Sequence, residues 1–416
     1  MNRSRGVALL SVMIVVAAVS ATASWLLYSQ NLDIQRTSRI LKKEQAILLA
    51  LTVESRALLT LQEDRVEDGA AAVDYYARTE SAEEEEEAED DGEPWSKPWS
   101  IASGVPPLET LKDVEISSCI YDLHGLLNLN NLRAVERLKA PPEDEKRHDA
   151  SNPANPGQWH ARRFRKFFEA FADTAPDDDT DVEVATLMDS LLDWLDDDDT
   201  FRANGAEDAE YSLKRFGYHA ANAPAVLPRE LHWVKGFEDL TPASLSSLQS
   251  RFVALPVRII GRSSKININT ADEEVLATLP YLEPDTARQL KTRLREEPVT
   301  AQNEIAGVLK PLLRPREDKQ EHLLDWVDEY LTIQSRFFGL VVAVRFGDVE
   351  LTVNSLLYRD NTDAPYRVYV LQRHFGDNPY DDLTVFDGGR CLAASAPAAE
   401  SGEDDDEDEE DDLDEG

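Results

Sequence analysis

Apolar positions change their rhythm several times along the chain. From Val7 to Leu27 no residue is charged, and that stretch spans about 30 Å as a helix, the thickness of a bilayer core. Beyond it the pattern becomes amphipathic. Ile40, Ile47, Leu51 and Leu58 recur at seven- and four-residue steps beside Leu48 and Leu59. Arg36, Arg39, Lys42, Lys43, Glu54 and Arg56 supply a polar face. No proline occurs before Pro94. The spacing predicts one helix from Val7 to about Arg78, roughly 100 Å long at 1.5 Å per residue.

The rhythm then turns to alternation. Val114, Ile116, Ser118 and Ile120 alternate with polar partners as in a strand, and Asp122-Leu123-His124-Gly125 marks a turn. Residues 133–335 return to helical spacing. Phe164, Phe167, Phe168 and Phe171 form one core stripe, and Val184, Leu187, Leu191, Leu192 and Leu195 a second. After Ser335 alternation resumes around Gly347-Asp348, a hairpin signal, and Tyr366–His374 predicts a third strand. The strand near Val114–Ile120 has no neighbour in sequence to pair with. The economical arrangement is one antiparallel sheet interrupted by a long helical insertion. The fold class is therefore α+β: a long N-terminal helix on a small antiparallel sheet, with a large inserted all-α domain, an arrangement that resembles a pilin-like fold. The divisions are 1–6 leader, 7–28 transmembrane, 29–79 the rest of the helix, and 80–107 an acidic, proline-rich loop. Then come 108–132 the first part of the sheet, 133–335 the insert, 336–395 the second part of the sheet, and 396–416 a disordered acidic tail.

Charge narrows the function. The chain has 416 residues and a formal charge of −38. Residues 80–93 hold ten acids in fourteen and residues 400–416 thirteen in seventeen, which places −23 in two runs. Phosphate-backbone binding needs clustered cations, so nucleic acid is not an expected partner. There are two cysteines, Cys119 and Cys391. They exclude a four-sulfur zinc site and leave either one bridge within the sheet domain or two separate thiols. The seven histidines show no metal or triad spacing, and no phosphate-binding glycine loop or nucleophile elbow occurs. An enzyme is not expected.

The N-terminus admits three readings: a plain anchor, a signal peptide cut before Ser24, or a prepilin-type leader cut after Gly6. Arg3 and Arg5 keep the leader in the cytoplasm and send the rest across the membrane. The continuation into a long amphipathic helix favours the prepilin reading, in which Val7 becomes the mature N-terminus. Pilin-like subunits usually carry glutamate at the fifth mature position; here it is Ser11. A subunit without that intramembrane carboxylate fits the end of a fibre better than its repeat.

Two segments invite chemistry. In DWLDDDDTFRANGAEDAEY (193–211), Asp196, Asp198 and Glu207 stand at relative positions 1, 3 and 12 of a calcium loop, with Asp197 and Asp208 beside them. Phe201 replaces the loop's glycine, so an exposed acidic loop is the alternative. Residues 265–300 resemble the helix-hairpin-helix module of DNA-binding proteins, with Thr270 and Glu273 as a capping box. The hairpin, Pro280-Tyr281-Leu282-Glu283, has no glycine and presents a carboxylate, which favours a structural helix pair.

RGVALLSVMIVVA (5–17), DLHGLLNLNNL (122–132), the 193–211 segment, Asn222-Ala223-Pro224, Pro228-Arg229-Glu230-Leu231 and Ile266-Asn267-Ile268-Asn269-Thr270-Ala271 together resemble the type II secretion system protein K family, the largest minor pseudopilins. The resemblance covers nearly all of residues 1–375. It implies a pseudopilin fold with an inserted α-domain, held by one span in the inner membrane with the head in the periplasm. It implies cleavage after Gly6 and N-methylation of Val7 by prepilin peptidase. It also implies a tip complex with I- and J-type minor pseudopilins, contact with other pseudopilins, and calcium. The alternative is a membrane-anchored periplasmic helix-hairpin-helix protein that binds DNA. A calcium-dependent periplasmic domain on a plain anchor is a third.

Overall fold

The structure is a computed structural model that describes residues 3–63, 114–134, 156–174, 183–260, 263–314, 324–360 and 367–376. The acidic stretches 80–93 and 400–416, the proline-rich loop and Cys391 lie outside the described residues, as do the last residues expected in the N-terminal helix.

Helix α1, Arg3–Glu63, runs unbroken through the apolar segment. Gly6, Val7 and Ser11 lie in its first turns. Its Val12–Gln62 part is long and apolar enough to cross a membrane, and the apolar window is fully exposed. Its second half lies on an antiparallel sheet of order β1-β6-β7-β8. The strands are β1 (Val114–Asp122), β6 (Phe337–Phe346), β7 (Val349–Asp360) and β8 (Arg367–Phe375). The expected interruption is present: β1 pairs with β6 from Val114↔Phe346 to Asp122↔Phe338, across more than two hundred intervening residues. Gly347, at φ +60°, turns β6 into β7 in a conformation that L side chains rarely adopt. Cys119 stands opposite Val341 in β1, so its predicted bridge to Cys391 has one end in the sheet and the other outside the described residues.

The helix buries a different stripe from the one the aliphatic spacing predicts. Ala46, Ala50, Val53, Ala57 and Leu61 face the sheet, while Ile40, Leu48 and Leu59 are exposed and Ile47 and Leu58 sit at the margins. Alanines let the helix backbone approach the sheet closely, and Ile120, Leu340, Val342, Val344, Val353 and Leu357 fill the space between. Glu54 is buried on this same seam. It accepts from Ser355 Oγ and Arg373 Nε, the latter at 3.1 Å to both oxygens.

The insert fills the gap between β1 and β6. Its helices are α2 (Pro156–Thr174), α3 (Val184–Leu195), α4 (Asp208–Tyr211), α5 (Pro242–Gln249) and α6 (Val257–Ile260). They continue with α7 (Glu273–Ala277), α8 (Pro284–Glu296), α9 (Ile305–Leu309) and α10 (Val327–Tyr330). It is not purely helical. Two-residue parallel pairs join β2 (Leu127–Asn128) to β3 (Phe252–Val253) and β4 (Ile266–Asn267) to β5 (Leu331–Thr332). Because Leu127–Asn128 pairs with Phe252–Val253 rather than with the sheet, the first part of the sheet ends near Asp122, ten residues before the expected boundary. Phe164, Phe167 and Phe168 of α2 pack around Phe252, with ring centroids 5.3–5.9 Å apart.

Candidate functional site

Three places in the molecule concentrate polar groups that the apolar pattern does not explain. The first is the junction of sheet and insert. Asp122, the last residue of β1, is buried. Its Oδ1 accepts from the His124 backbone N–H at 2.7 Å. Its Oδ2 accepts from Asn267 Nδ2 at 3.2 Å, Thr270 Oγ1 at 2.5 Å and Ser335 Oγ at 2.6 Å. Burial pushes the carboxyl up, against these hydrogen bonds and the charge of Arg359. Arg359, also buried, donates to the carbonyls of Leu61 and Ser335 and lies over the Phe338 ring. One cluster thus ties the end of α1, the sheet and both ends of the insert. Thr270 is occupied here and does not cap α7, whose N-cap residue is Asp272. The capping-box expectation fails because the helix starts at Glu273, two residues later than a cap at Thr270 requires.

The second place is the asparagine run. Asn128 Oδ1 accepts from the Leu255 backbone N–H at 3.0 Å and its Nδ2 donates to Ser264 Oγ at 3.1 Å. Asn130 donates to the carbonyls of Ala225 and Leu255, both at 2.9 Å, and accepts from the Ala225 N–H at 2.8 Å. Asn131 accepts from the Ser264 N–H, and Asn269 makes a two-way bond with the Val299 backbone. All four asparagines are buried. They do for irregular loops what a strand does for a neighbour: each side chain satisfies backbone groups that have no ladder partner.

The third is the acidic segment after α3. Asp193 and Asp196 are buried, and Arg202 lies between them, its NH1 at 2.5 Å from Asp193 and 2.6 Å from Asp196. A side chain at Gly205 would displace the Asp193 carboxylate, because a Cβ would stand 1.8 Å from Asp193 Oδ2. Glu207 is only 4% exposed, and neither of its carboxylate oxygens has a hydrogen-bond partner. Burial, then the charges of Asp193, Asp196, Asp199 and Asp198, push it up to about 7. The predicted calcium set is only partly gathered. Asp196 and Glu207 are both buried, and Asp196 and exposed Asp198 each act on Glu207 through their charge. Asp208 is committed elsewhere, 2.7 Å from His219 Nδ1 and from the Ala220 N–H. Asp197 pairs with Arg133. Asp193 was missed because it lies inside the apolar stripe of α3, one residue before Trp194. Among the described residues no three His, Cys, Asp or Glu side chains stand as a ready metal cage; Arg202 fills the role of cation.

The helix-hairpin-helix-like module is closed to phosphate. Tyr281 takes the left-handed conformation, φ 61°, where such hairpins use glycine. Lys166 of α2 donates to the carbonyls of Leu279 (3.3 Å) and Leu282 (2.7 Å), and the Arg314 N–H donates to Tyr281 O. Arg163 donates through Nε and NH2 to Thr278 Oγ1. The cations near the hairpin are spent on holding it against α2.

Comparison with known proteins places this arrangement. A family model described as type II secretion system protein K matches residues 125–257, which contain the asparagine run and the acidic segment. The type II secretion system protein K of Pseudomonas aeruginosa is 26% identical, over 87% of this chain and 91% of its own length. That of Klebsiella pneumoniae is 24% identical, over 90% and 97%. Over most of its length the chain resembles type II secretion system protein K. The fold agrees. The crystal structure of the GspK-GspI-GspJ complex from the enterotoxigenic Escherichia coli type 2 secretion system contains a chain that superposes with a TM-score of 0.55 at 22% identity, covering 82% of this chain and all of that one. Protein K is a structural pseudopilin and not an enzyme, and a DNA-binding role finds no support among its relatives.

Proposed function

We propose that this protein caps the periplasmic pseudopilus together with I- and J-type minor pseudopilins and so supports export of folded proteins across the outer membrane. The observation that carries the reading is the division of α1. One half is apolar and bare, the other is seated on the sheet, and the same sheet carries an insert of some two hundred residues. Fibre subunits pack through their N-terminal helices. A bulky insert on one head obstructs a subunit above it, and Ser11 provides no carboxylate for a neighbour's terminal amine. The GspK-GspI-GspJ complex of the fold relative supports the same partners here. In this reading prepilin peptidase cuts after Gly6 and Val7 is N-methylated. The bare half of α1 then lies in the inner membrane, with the leader cytoplasmic and the head periplasmic. Intact mass and N-terminal sequencing of the membrane-extracted protein test it. A start at N-methyl Val7 with co-purifying I- and J-type subunits is expected; a start at Ser24 would overturn it.

Calcium is the second reading, favoured by the orphaned carboxylate of Glu207. Asp193, Asp196 and Glu207 would hold the ion, which would replace the Arg202 guanidinium as counter-charge and keep Glu207 ionised. A calcium-dependent rise in melting temperature, absent in Glu207→Gln, is the expected result; equal response in both proteins would remove the site.

A further inference from the structure

The insert hides nearly all its large apolar side chains, and among the described residues its exceptions are clustered in sequence. Phe201, Leu213, Phe216, Val226 and Trp233 are 69%, 85%, 75%, 59% and 49% exposed, all within residues 201–233. The loops that carry them are pinned to one another. Asn222 Nδ2 donates to Asp199 Oδ1 at 2.9 Å, tying the Phe201 loop to the loop that leads to Val226. Tyr218 OH donates to Trp233 O at 2.8 Å, and the Tyr218 and Trp233 rings meet edge to face at 5.4 Å. Arg215 stacks over the Phe216 ring. These side chains therefore stand on a fixed frame, with their solvent exposure unrelieved. Isolated exposed leucines are common, but a run of large apolar groups on braced loops marks a contact surface.

Its edge is acidic. Asp197, Asp198 and Asp199, all exposed, lie two to four residues before Phe201, and among them only Asp197 pairs with a cation, Arg133. We propose that this surface, Phe201 to Trp233 with the Asp197–Asp199 edge, docks a folded exported protein that presents apolar side chains flanked by lysine or arginine. The proposal rests on the pseudopilus-tip reading. A second copy of this chain is a poor occupant, because its own Asp197–Asp199 would meet the same three carboxylates. Fibre neighbours have another surface open to them: Ile34, Ile40, Leu41 and Leu48 are exposed along α1. Charge on the edge speeds encounter and excludes acidic partners, and the aromatic and aliphatic groups supply the contact.

The test places a photo-crosslinking amino acid at Phe216 or, separately, at Ile40 of the full chain, in cells whose secretion system is active, and identifies the products by mass. Ile40 is expected to capture I- or J-type pseudopilins, and its failure to do so would sink the tip reading itself. Phe216 is expected to capture an exported protein. The yield should fall at least tenfold with Leu213→Asp, and with Asp197, Asp198 and Asp199 all changed to asparagine, while the Ile40 products persist. Export should fall in parallel, with melting temperature unchanged. If Ile40 links as expected but Phe216 links nothing, or only pseudopilins, the docking surface is wrong and the tip reading stands.

Discussion

In the sheet module β6 and β7 pair over ten consecutive residues, and the helix seam above them is alanine, valine and leucine. Among the described residues of the insert the longest strand pairing spans two residues, and buried asparagines take the place of ladders. Backbone periodicity supports the first region, so its stability is spread over many equivalent contacts. The second concentrates its stability in a few polar side chains, each serving two or three backbone groups that nothing else can reach. Losing one contact in the sheet removes one increment; losing one asparagine orphans several buried groups at once.

The largest effect should therefore come from Asn130. Asn130→Leu keeps the branched outline but leaves the Ala225 N–H and the carbonyls of Ala225 and Leu255 without their partner. About 3 kcal/mol or more should be lost, read as a denaturation shift. Hydrogen exchange gives the sharper reading: amides of the insert should lose protection while those of β6 and β7 keep theirs. Equal loss in both regions would break the contrast.

Glu207 comes next. Its pKa in the folded state, about 7, lies above the ordinary carboxylate value of 4.5. The folded state then binds the extra proton more tightly, so this contribution to stability is fully present below about 4.5 and is lost as pH rises through 7. Without calcium, the wild type should lose up to about 3 kcal/mol across that window relative to Glu207→Gln. Added calcium should flatten the difference, because ligation keeps the carboxylate ionised. A slope of the opposite sign would mean that Glu207 is paired in solution.

The same contrast explains what could be foreseen. The antiparallel sheet, its interruption by the insert and the aromatic stripe of α2 were legible because each repeats a short period, of two or of 3.6 residues. The seam of α1 was misjudged by about one residue, because larger aliphatic side chains at Ile47 and Leu58 outweigh Ala46, Ala50 and Ala57 in any hydrophobic count, while close packing favours the small ones. At the acidic site, spacing found Asp196 and Glu207 but not Asp193, whose partner Arg202 lies nine residues on around a loop with no period. The junction at Asp122 joins residues up to 213 apart, and no local pattern announces it.

Within the sheet module a graded pair of charges sharpens the comparison further. Glu54 is buried against Ser355 and Arg373. Arg373→Ala should cost about 2 kcal/mol, less than a fully enclosed pair, because the Arg373 side chain is 36% exposed and water can replace it in part. Ser355→Ala in the same background should add little if Glu54 has already rehydrated. A full additive loss in the double variant would show that the carboxylate stays dry.

The smallest effect belongs to Asp348, at the tip of the β6–β7 hairpin. It meets Lys42 Nζ and Arg39 Nε of α1, both at 2.8 Å, and these cations hold its carboxyl down to about 2. A lowered carboxylate contributes above its unfolded pKa, and the contribution is lost as pH falls through about 2, far below neutral pH. The groups are solvent-exposed and screened at physiological salt, so the pairing should add almost nothing to stability there. Asp348→Asn isolates the charge, since asparagine tolerates the same turn next to Gly347. No measurable melting change is expected in about 0.15 M salt. A clear loss would mean that the orientation of α1 depends on this exposed contact as well as on the buried seam from Ala46 to Leu61. The sheet module would then share the insert's reliance on single polar side chains.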